Sequence, residues 1–309
     1  MAQDYWDTFW KQGFITTFGN TMPNNYQGPL RELWETIFSR VSNGGRVLDI
    51  ATGSGALACI AAEISDRSGL DLDILAADFA KIPEEINAPE EISRLRKKIN
   101  FFSNMPCEKL DFPGNHFDLI TSQFGIEYSD WSQSLLEVLR TLKSSGSADF
   151  FCHREQAKTY QQSESEIKIY KSALENYKIF NAAAIFTKTF VEHGQASRTD
   201  SLALNKTIND FRSEFQGREL ANMLVADIAS QLKKLRTKEA DQVAGILIER
   251  EAEYSAAQAR LEDMLSAALS DSDLQSIIDL AKRIGFKDVS SRDLYQQGEL
   301  IGAHIHMTK

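Results

Sequence analysis

Short apolar runs alternate with helix-patterned stretches over the first half of this chain. Residues 47–50, 72–77, 99–103, 117–122 and 148–153 are four to six positions long and rich in Val, Ile, Leu, Ala and Phe. That length and composition suit strands buried on both faces. The stretches between them carry apolar residues three and four apart, as in Leu135, Leu136, Val138, Leu139 and Leu142. Such spacing lays one stripe along a helix. Successive strand–turn–helix units predict an α/β fold with a doubly wound, mostly parallel sheet. After His153 the pattern changes. Residues 154–272 contain no proline, and Ile167, Tyr170, Leu174, Tyr177 and Ala184, then Val243, Leu247, Tyr254, Leu261 and Leu265, recur at helical spacing. A further helix is expected from Leu274 to Gly285, where glycine suits a left-handed cap, followed by strands at 287–293 and 300–307. The expected architecture is therefore a doubly wound sheet with a large helical insertion before the last helix and two terminal strands. Its divisions are an aromatic-rich helical cap at 1–45, a cofactor-binding core at 46–153, the insertion at 154–272 and completion of the sheet at 273–309.

The first run leads into Asp49-Ile50-Ala51-Thr52-Gly53-Ser54-Gly55-Ala56-Leu57-Ala58. Glycines there let the backbone turn sharply and approach a ligand closely, and a helix starting near Ser54 turns free N–H groups toward it. Gly53 to Ala58 fits the G-x-G-x-x-G/A pattern of dinucleotide folds, which keeps an NAD-dependent oxidoreductase open. Asp49 separates the alternatives: a carboxylate repels a pyrophosphate and attracts the sulfonium and ammonium of S-adenosylmethionine. The stretch resembles the first motif of the class I S-adenosylmethionine-dependent methyltransferases, roughly D/E-x-G-x-G-x-G, with Ala51 in place of the first glycine.

Other strand ends supply further cofactor candidates. Asp78 ends the second run about 23 residues beyond Gly55, near the spacing at which doubly wound folds offer a carboxylate to ribose hydroxyls. Phe79 has an aromatic face suited to a flat base. The resemblance places Asn104 and Met105 where the family frames adenine, and it makes 117–122 the strand beside the first. Gln123 ends that strand, at the edge where open α/β sheets bind ligands. With Asp49, Ala51, Gly53, Gly55, Asp78, Phe79, Asn104 and Met105 it completes the expected S-adenosylmethionine set.

Composition narrows the partners. Forty-four acidic against 34 basic residues give a net charge of −10, which disfavours nucleic acid or another polyanion as substrate. The densest basic cluster, Arg94 to Lys98, reads as a solvated helix face. No apolar run approaches the roughly 18 residues of a membrane span, and the opening residues carry no basic stretch before an apolar one. A cytoplasmic protein without a membrane partner is expected. Cys59, Cys107 and Cys152 are widely spaced, which indicates neither a disulfide framework nor a zinc site; Cys107 reads as structural. His304 and His306 share a strand face without a third ligand nearby in sequence, so no metal is predicted.

Methyl transfer requires the acceptor to be held close and aligned, and a base where the acceptor carries a proton. His153, Glu127 and Tyr128 stand at strand ends facing the expected pocket, and His153 is the first choice as base because an imidazole titrates near neutral pH. The resemblance implies methyl transfer to an O or N atom of a small metabolite. A non-catalytic S-adenosylmethionine-binding protein is the alternative from another class. The insertion is expected to serve as a lid or to form a homodimer contact.

Overall fold

The computed structural model describes residues 2–19, 22, 24–236 and 240–309. Helices α1 (Ala2–Trp10) and α2 (Gly28–Phe38) precede strand β1 (Arg46–Ile50). There follow α3 (Ala56–Ser68), β2 (Asp73–Ala77), α4 (Glu90–Arg96), β3 (Ile99–Phe102), β4 (Phe117–Gln123), α5 (Trp131–Thr141) and β5 (Leu142–Cys152). Five further helices come next: α6 (Lys158–Lys171), α7 (Ile179–His193), α8 (Arg198–Glu214), α9 (Glu219–Lys233) and α10 (Ala240–Ala267). Helix α11 (Asp271–Ile284) and the hairpin β6 (Lys287–Gln296) and β7 (Glu299–Thr308) complete the chain.

The seven strands lie in the order β3-β2-β1-β4-β5-β7-β6, parallel except for β7, which runs antiparallel to β5 and β6. The order reverses between β1 and β4, where such sheets bind ligands beyond the carboxyl ends of the strands. Alternate residues of each strand enter different cores. Val47, Ile74 and Ala76 pack with α2 and α3, while Leu48, Ile50, Leu75 and Ala77 pack with α5 and α11. Helix α3 is apolar on nearly all sides, from Ala56 to Ile64, as suits a helix held between a sheet and a second helix layer.

The chain departs from the expected elements in three places. Helix α3 begins at Ala56 rather than near Ser54, because Gly55 caps it at φ 86°, outside the helical region. Strand β5 begins at Leu142, where a helix ending and a turn at Ser144–Gly146 were expected. Phe117 pairs with Leu142 but Leu119 with Ser147, so the extra residues form an irregularity within the strand. In the Arg94–Lys98 cluster, Arg94 and Lys98 do pair with exposed Asp66, but Arg96 is buried. Its guanidinium donates to the carbonyls of Ser54 and Pro83 and lies 4.5 Å from the Phe101 ring. An arginine at this point of α4 braces the glycine turn from behind.

The chain forms two compact units, residues 1–161 with 263–309, and residues 162–262. The second is helical and has a core of its own that includes Phe180, Phe211, Leu224, Ile228, Val243 and Leu247. The division falls inside α6 and α10, so 154–161 and 263–272 of the expected insertion belong with the sheet. A backbone clasp shows why. Arg154 bridges Leu269, the Leu269 N–H donates to His153 O at 2.9 Å, and the Arg154 guanidinium donates to Leu269 O at 2.9 Å.

Candidate active site

A cavity of about 440 Å³ opens over the carboxyl ends of β1 and β4, and every residue lining it belongs to the sheet-bearing unit. At one end the backbone turns between β1 and α3. Ala51 and Gly53 have φ of 51° and 57°. The left-handed region costs alanine roughly 1–2 kcal/mol relative to an ordinary conformation, so the place where the resemblance expects glycine still holds the glycine geometry. A Cβ on Gly53 would run into the Trp10 ring.

Asp78, at the end of β2, lines this part of the cavity. It accepts from the backbone N–H groups of Gly53 (2.6 Å) and Ala80 (2.7 Å). A carboxylate has about four acceptor positions, so two backbone bonds leave capacity for hydroxyls. Burial pushes its carboxyl up to about 6 against those two bonds. Phe79 beside it lines the cavity and is 46% exposed. Asp49 lies below the turn rather than on the wall. It accepts from Thr52 Oγ1 (2.5 Å) and Thr121 Oγ1 (3.1 Å), and burial, with the charge of Asp78 in a smaller part, pushes it up to about 7. Two buried acids under an N–H-rich turn form a site that gains from a cationic ligand.

The remaining cofactor candidates divide. Gln123 lines the cavity, accepts from the Trp34 indole N–H, and leaves its own Nε2 buried without a partner among the described residues. Gly55, Asn104 and Met105 are not on the wall. Gly55 is backed by Phe101, and the Met105 N–H donates to Asp78 O at 2.8 Å, so this segment holds Asp78 in place while Pro106, Cys107 and Glu108 line the cavity. Burial pushes the Cys107 thiol far up, which agrees with a structural role.

The other end of the cavity is built from side chains. Glu127 and Tyr128 follow β4 and line it. Glu127 is 5% exposed; its Oε1 accepts from the backbone N–H of His153 and from His153 Nδ1, both at 2.9 Å. The Glu127 side chain is wholly inaccessible, and the Cys152 thiol, raised chiefly by burial, also bonds to it. His153 does not line the cavity among the described residues; its ring stacks on Phe124 at 4.2 Å and 26°. The residue expected as base is thus held by the buried carboxylate, and its own side chain is the more exposed of the two. Tyr128 is half-buried, and loss of solvent first, then the charges of Glu127 and Asp263, raise its phenol, keeping it neutral.

Three further contributors stand here: Trp6 and Trp10, from the aromatic-rich segment that the sequence offers in part as a cap over the cofactor, and Asp263, which went unread. Trp10 and Trp6 of α1 stack at 6.1 Å and 20°, and Trp6 meets Tyr128 edge-on at 5.8 Å. Asp263, near the end of α10, lines the same region and accepts from the Tyr5 hydroxyl. Trp6 and Trp10 belong to the aromatic cluster before β1, but helical spacing does not distinguish a cavity ring from a core ring such as Trp34 or Phe38. For Asp263, about 135 residues beyond Tyr128 in a helix of mixed charge, no local signal exists.

Residues 30–192 match the family model described as the ubiE/COQ5 methyltransferase family. The chain is 34% identical over 115 residues to the ubiquinone/menaquinone biosynthesis C-methyltransferase UbiE of Geotalea uraniireducens, over 35% of this chain and 46% of that protein. It is 36% identical over 115 residues to the Geobacter sulfurreducens protein of the same name, over 35% of this chain and 42% of that one. The chain thus spans under half the length of these curated relatives. Among solved structures, an S-adenosylmethionine-dependent methyltransferase of Aquifex aeolicus aligns over 41% of this chain and 66% of its own, at 19% identity and a TM-score of 0.32.

Proposed function

Because the chain belongs to the ubiE/COQ5 methyltransferase family, we propose that it catalyses S-adenosylmethionine-dependent methyl transfer to a small molecule seated at the Glu127–Tyr128 end of the cavity. The observation that carries this reading is the pairing, in one cavity, of a left-handed turn backed by Asp49 and Asp78 with an end built from Trp6, Tyr128 and Asp263. S-adenosylmethionine, when bound, supplies an electrophilic methyl on a sulfonium. Asp78 would take the ribose hydroxyls, Phe79 the base, and Asp49 would favour the positive charge through the turn. Trp6, Trp10 and Tyr128 would exclude water and hold a flat acceptor. His153 would receive a proton from the acceptor, with the buried Glu127 carboxylate holding its ring at Nδ1.

The names of the curated relatives favour a second reading of the acceptor atom, carbon, against the O or N expected from the sequence. For the helical unit, a lid or a dimer contact belongs to the same proposal, and a monomeric mass in analytical ultracentrifugation would remove the dimer. The cofactor is tested by thermal stabilisation. S-adenosylhomocysteine at 100 times its Kd should add about 2.7 kcal/mol, and stabilisation by NAD instead would replace the reading with an oxidoreductase. Transfer of labelled methyl from cofactor into a metabolite extract separates an enzyme from a binding protein.

A further inference from the structure

Helix α1 reaches both ends of the cavity, and it does so through contacts of its own. Trp6, Phe9 and Trp10 are three and four positions apart, so they share one face of the helix. Phe9 and Trp10 pack with Ala80 in a small cluster separate from the two cores that hold the sheet, with Trp6 and Phe14 against it. Trp10 lies so close over Gly53 that a Cβ there has no room. Asp7 accepts from the Lys81 N–H at 2.7 Å, two residues beyond Phe79. These contacts cover the cofactor end. At the other end Trp6 meets Tyr128 edge-on at 5.8 Å, and the Tyr5 hydroxyl donates to Asp263. The chain leaves the helix through Gly13 at φ 79°, whose O accepts from the Asn87 N–H at 3.0 Å. A glycine in that region after a nine-residue helix is a natural pivot.

We propose that α1 is a gate over the cofactor end, pivoting at Gly13 and latched at the acceptor end by the bond from Tyr5 to Asp263, so that opening of this latch sets how fast S-adenosylmethionine enters and S-adenosylhomocysteine leaves. This rests on the methyltransferase reading and adds a regulation of the same site. An element held by a small cluster of its own opens locally while the sheet stays folded, and lid opening commonly limits product release. Tyr5 is not among the residues lining the cavity, and the contacts that hold α1 down are contacts with the protein. The gate is therefore shut in the free and the loaded protein alike. Loss of the latch raises the open fraction in both, which speeds entry and exit by one factor and leaves the equilibrium between them where it was.

The test is stopped-flow tryptophan fluorescence on the full chain mixed with S-adenosylhomocysteine, with the Kd measured separately by calorimetry. Tyr5→Phe, which removes one hydroxyl and keeps the ring, should raise the association and dissociation rate constants together, by at least about threefold, with the Kd within a factor of two. Asp263→Ala should do the same, and the double variant should add nothing to either single change, because both remove one bond. Unchanged rates, effects that add in the double variant, or a faster dissociation matched by an equal loss of affinity would each overturn the latch and leave the methyltransferase reading standing. Failure of the unaltered chain to bind S-adenosylhomocysteine, followed by stabilisation with NAD, would instead remove the reading beneath it.

Discussion

The two ends of the cavity are made differently. The cofactor end is mostly backbone: the left-handed turn at Ala51 and Gly53, N–H groups donated to Asp78, and Arg96 holding the Ser54 carbonyl from behind. Its parts come from residues 49–55, 78–80 and 96. The acceptor end is side chains from four separated segments, with Trp6 and Trp10 from α1, Glu127 and Tyr128 after β4, His153 after β5, and Asp263 from α10. Backbone geometry fixes what a turn binds whichever side chains surround it. Side-chain assemblies exchange members without disturbing the sheet, so the first end should define the family and the second the substrate.

That contrast is broken or sharpened by variants that act on one end alone. The largest effect is expected for His153→Ala, which removes the base. Turnover should fall by roughly 10²–10⁴-fold while the Kd for S-adenosylhomocysteine is unchanged; a parallel loss of cofactor affinity would show that the ends are not separable. Glu127→Gln should lower turnover in the same direction by less, because its effect passes through His153.

At the other end, Asp78→Ala leaves the Gly53 and Ala80 N–H groups without their acceptor. Calorimetry should show S-adenosylhomocysteine binding weakened by about 1–3 kcal/mol, which is about 5–150-fold. Unchanged binding would place the cofactor away from this turn.

A control lies outside both ends. Asp149 accepts from His304 Nε2 and His306 Nδ1, each at 2.9 Å, across the β5–β7 pairing. Burial works against its ionisation, but the two imidazoles hold its carboxyl below the ordinary range, while the bond to Asp149 raises His306. The depressed acid contributes stability that is present above its unfolded pKa and lost as pH falls through its folded value. The raised imidazole contributes stability that is present below its unfolded pKa and lost as pH rises through its folded value. Asp149→Asn should therefore lower Tm most between these limits, by a few degrees for about 1 kcal/mol, with ligand affinities intact.

The smallest effect is a pH dependence of cofactor preference. Asp49 and Asp78, pushed up to about 7 and about 6 chiefly by burial, are largely protonated at pH 5 in the free protein. Their raised values contribute stability to the free protein that is lost as pH rises through 6 to 7. Ionised, they attract a sulfonium more than a thioether. The affinity ratio of S-adenosylmethionine to S-adenosylhomocysteine should rise by a few-fold from pH 5 to 8, and a flat ratio would place both acids out of electrostatic reach of the sulfur.

The contrast also separates what was legible in the sequence. The sheet, its two terminal strands and the turn from Asp49 to Gly55 follow from apolar runs and glycine placement, because those signals are local. Asp78 was legible for the same reason, as the last polar residue of a strand. Arg96 was misread as a surface charge because its partner carbonyls lie 42 and 13 residues away. The length of β5 was missed because its pairing with β4 absorbs residues that by composition form a turn. Glu127 and His153 were identified singly, but their hydrogen-bonded pairing, with the carboxylate fully buried, depends on Phe124, whose φ of 54° lies in the left-handed region and whose ring stacks on His153.

The clasp of Arg154 on Leu269 bears on the chain's history as a polymer. Once the two residues are fixed side by side, the segment between them costs the sheet only the entropy of closing a loop. That entropy grows as the logarithm of length, by about 0.6 kcal/mol for each doubling. The register of β5 against β7 is therefore almost indifferent to how much sequence is carried between the two clasped residues. Selection can lengthen, shorten or exchange that segment while the strands on either side keep their pairing, so the clasp marks a natural point for grafting.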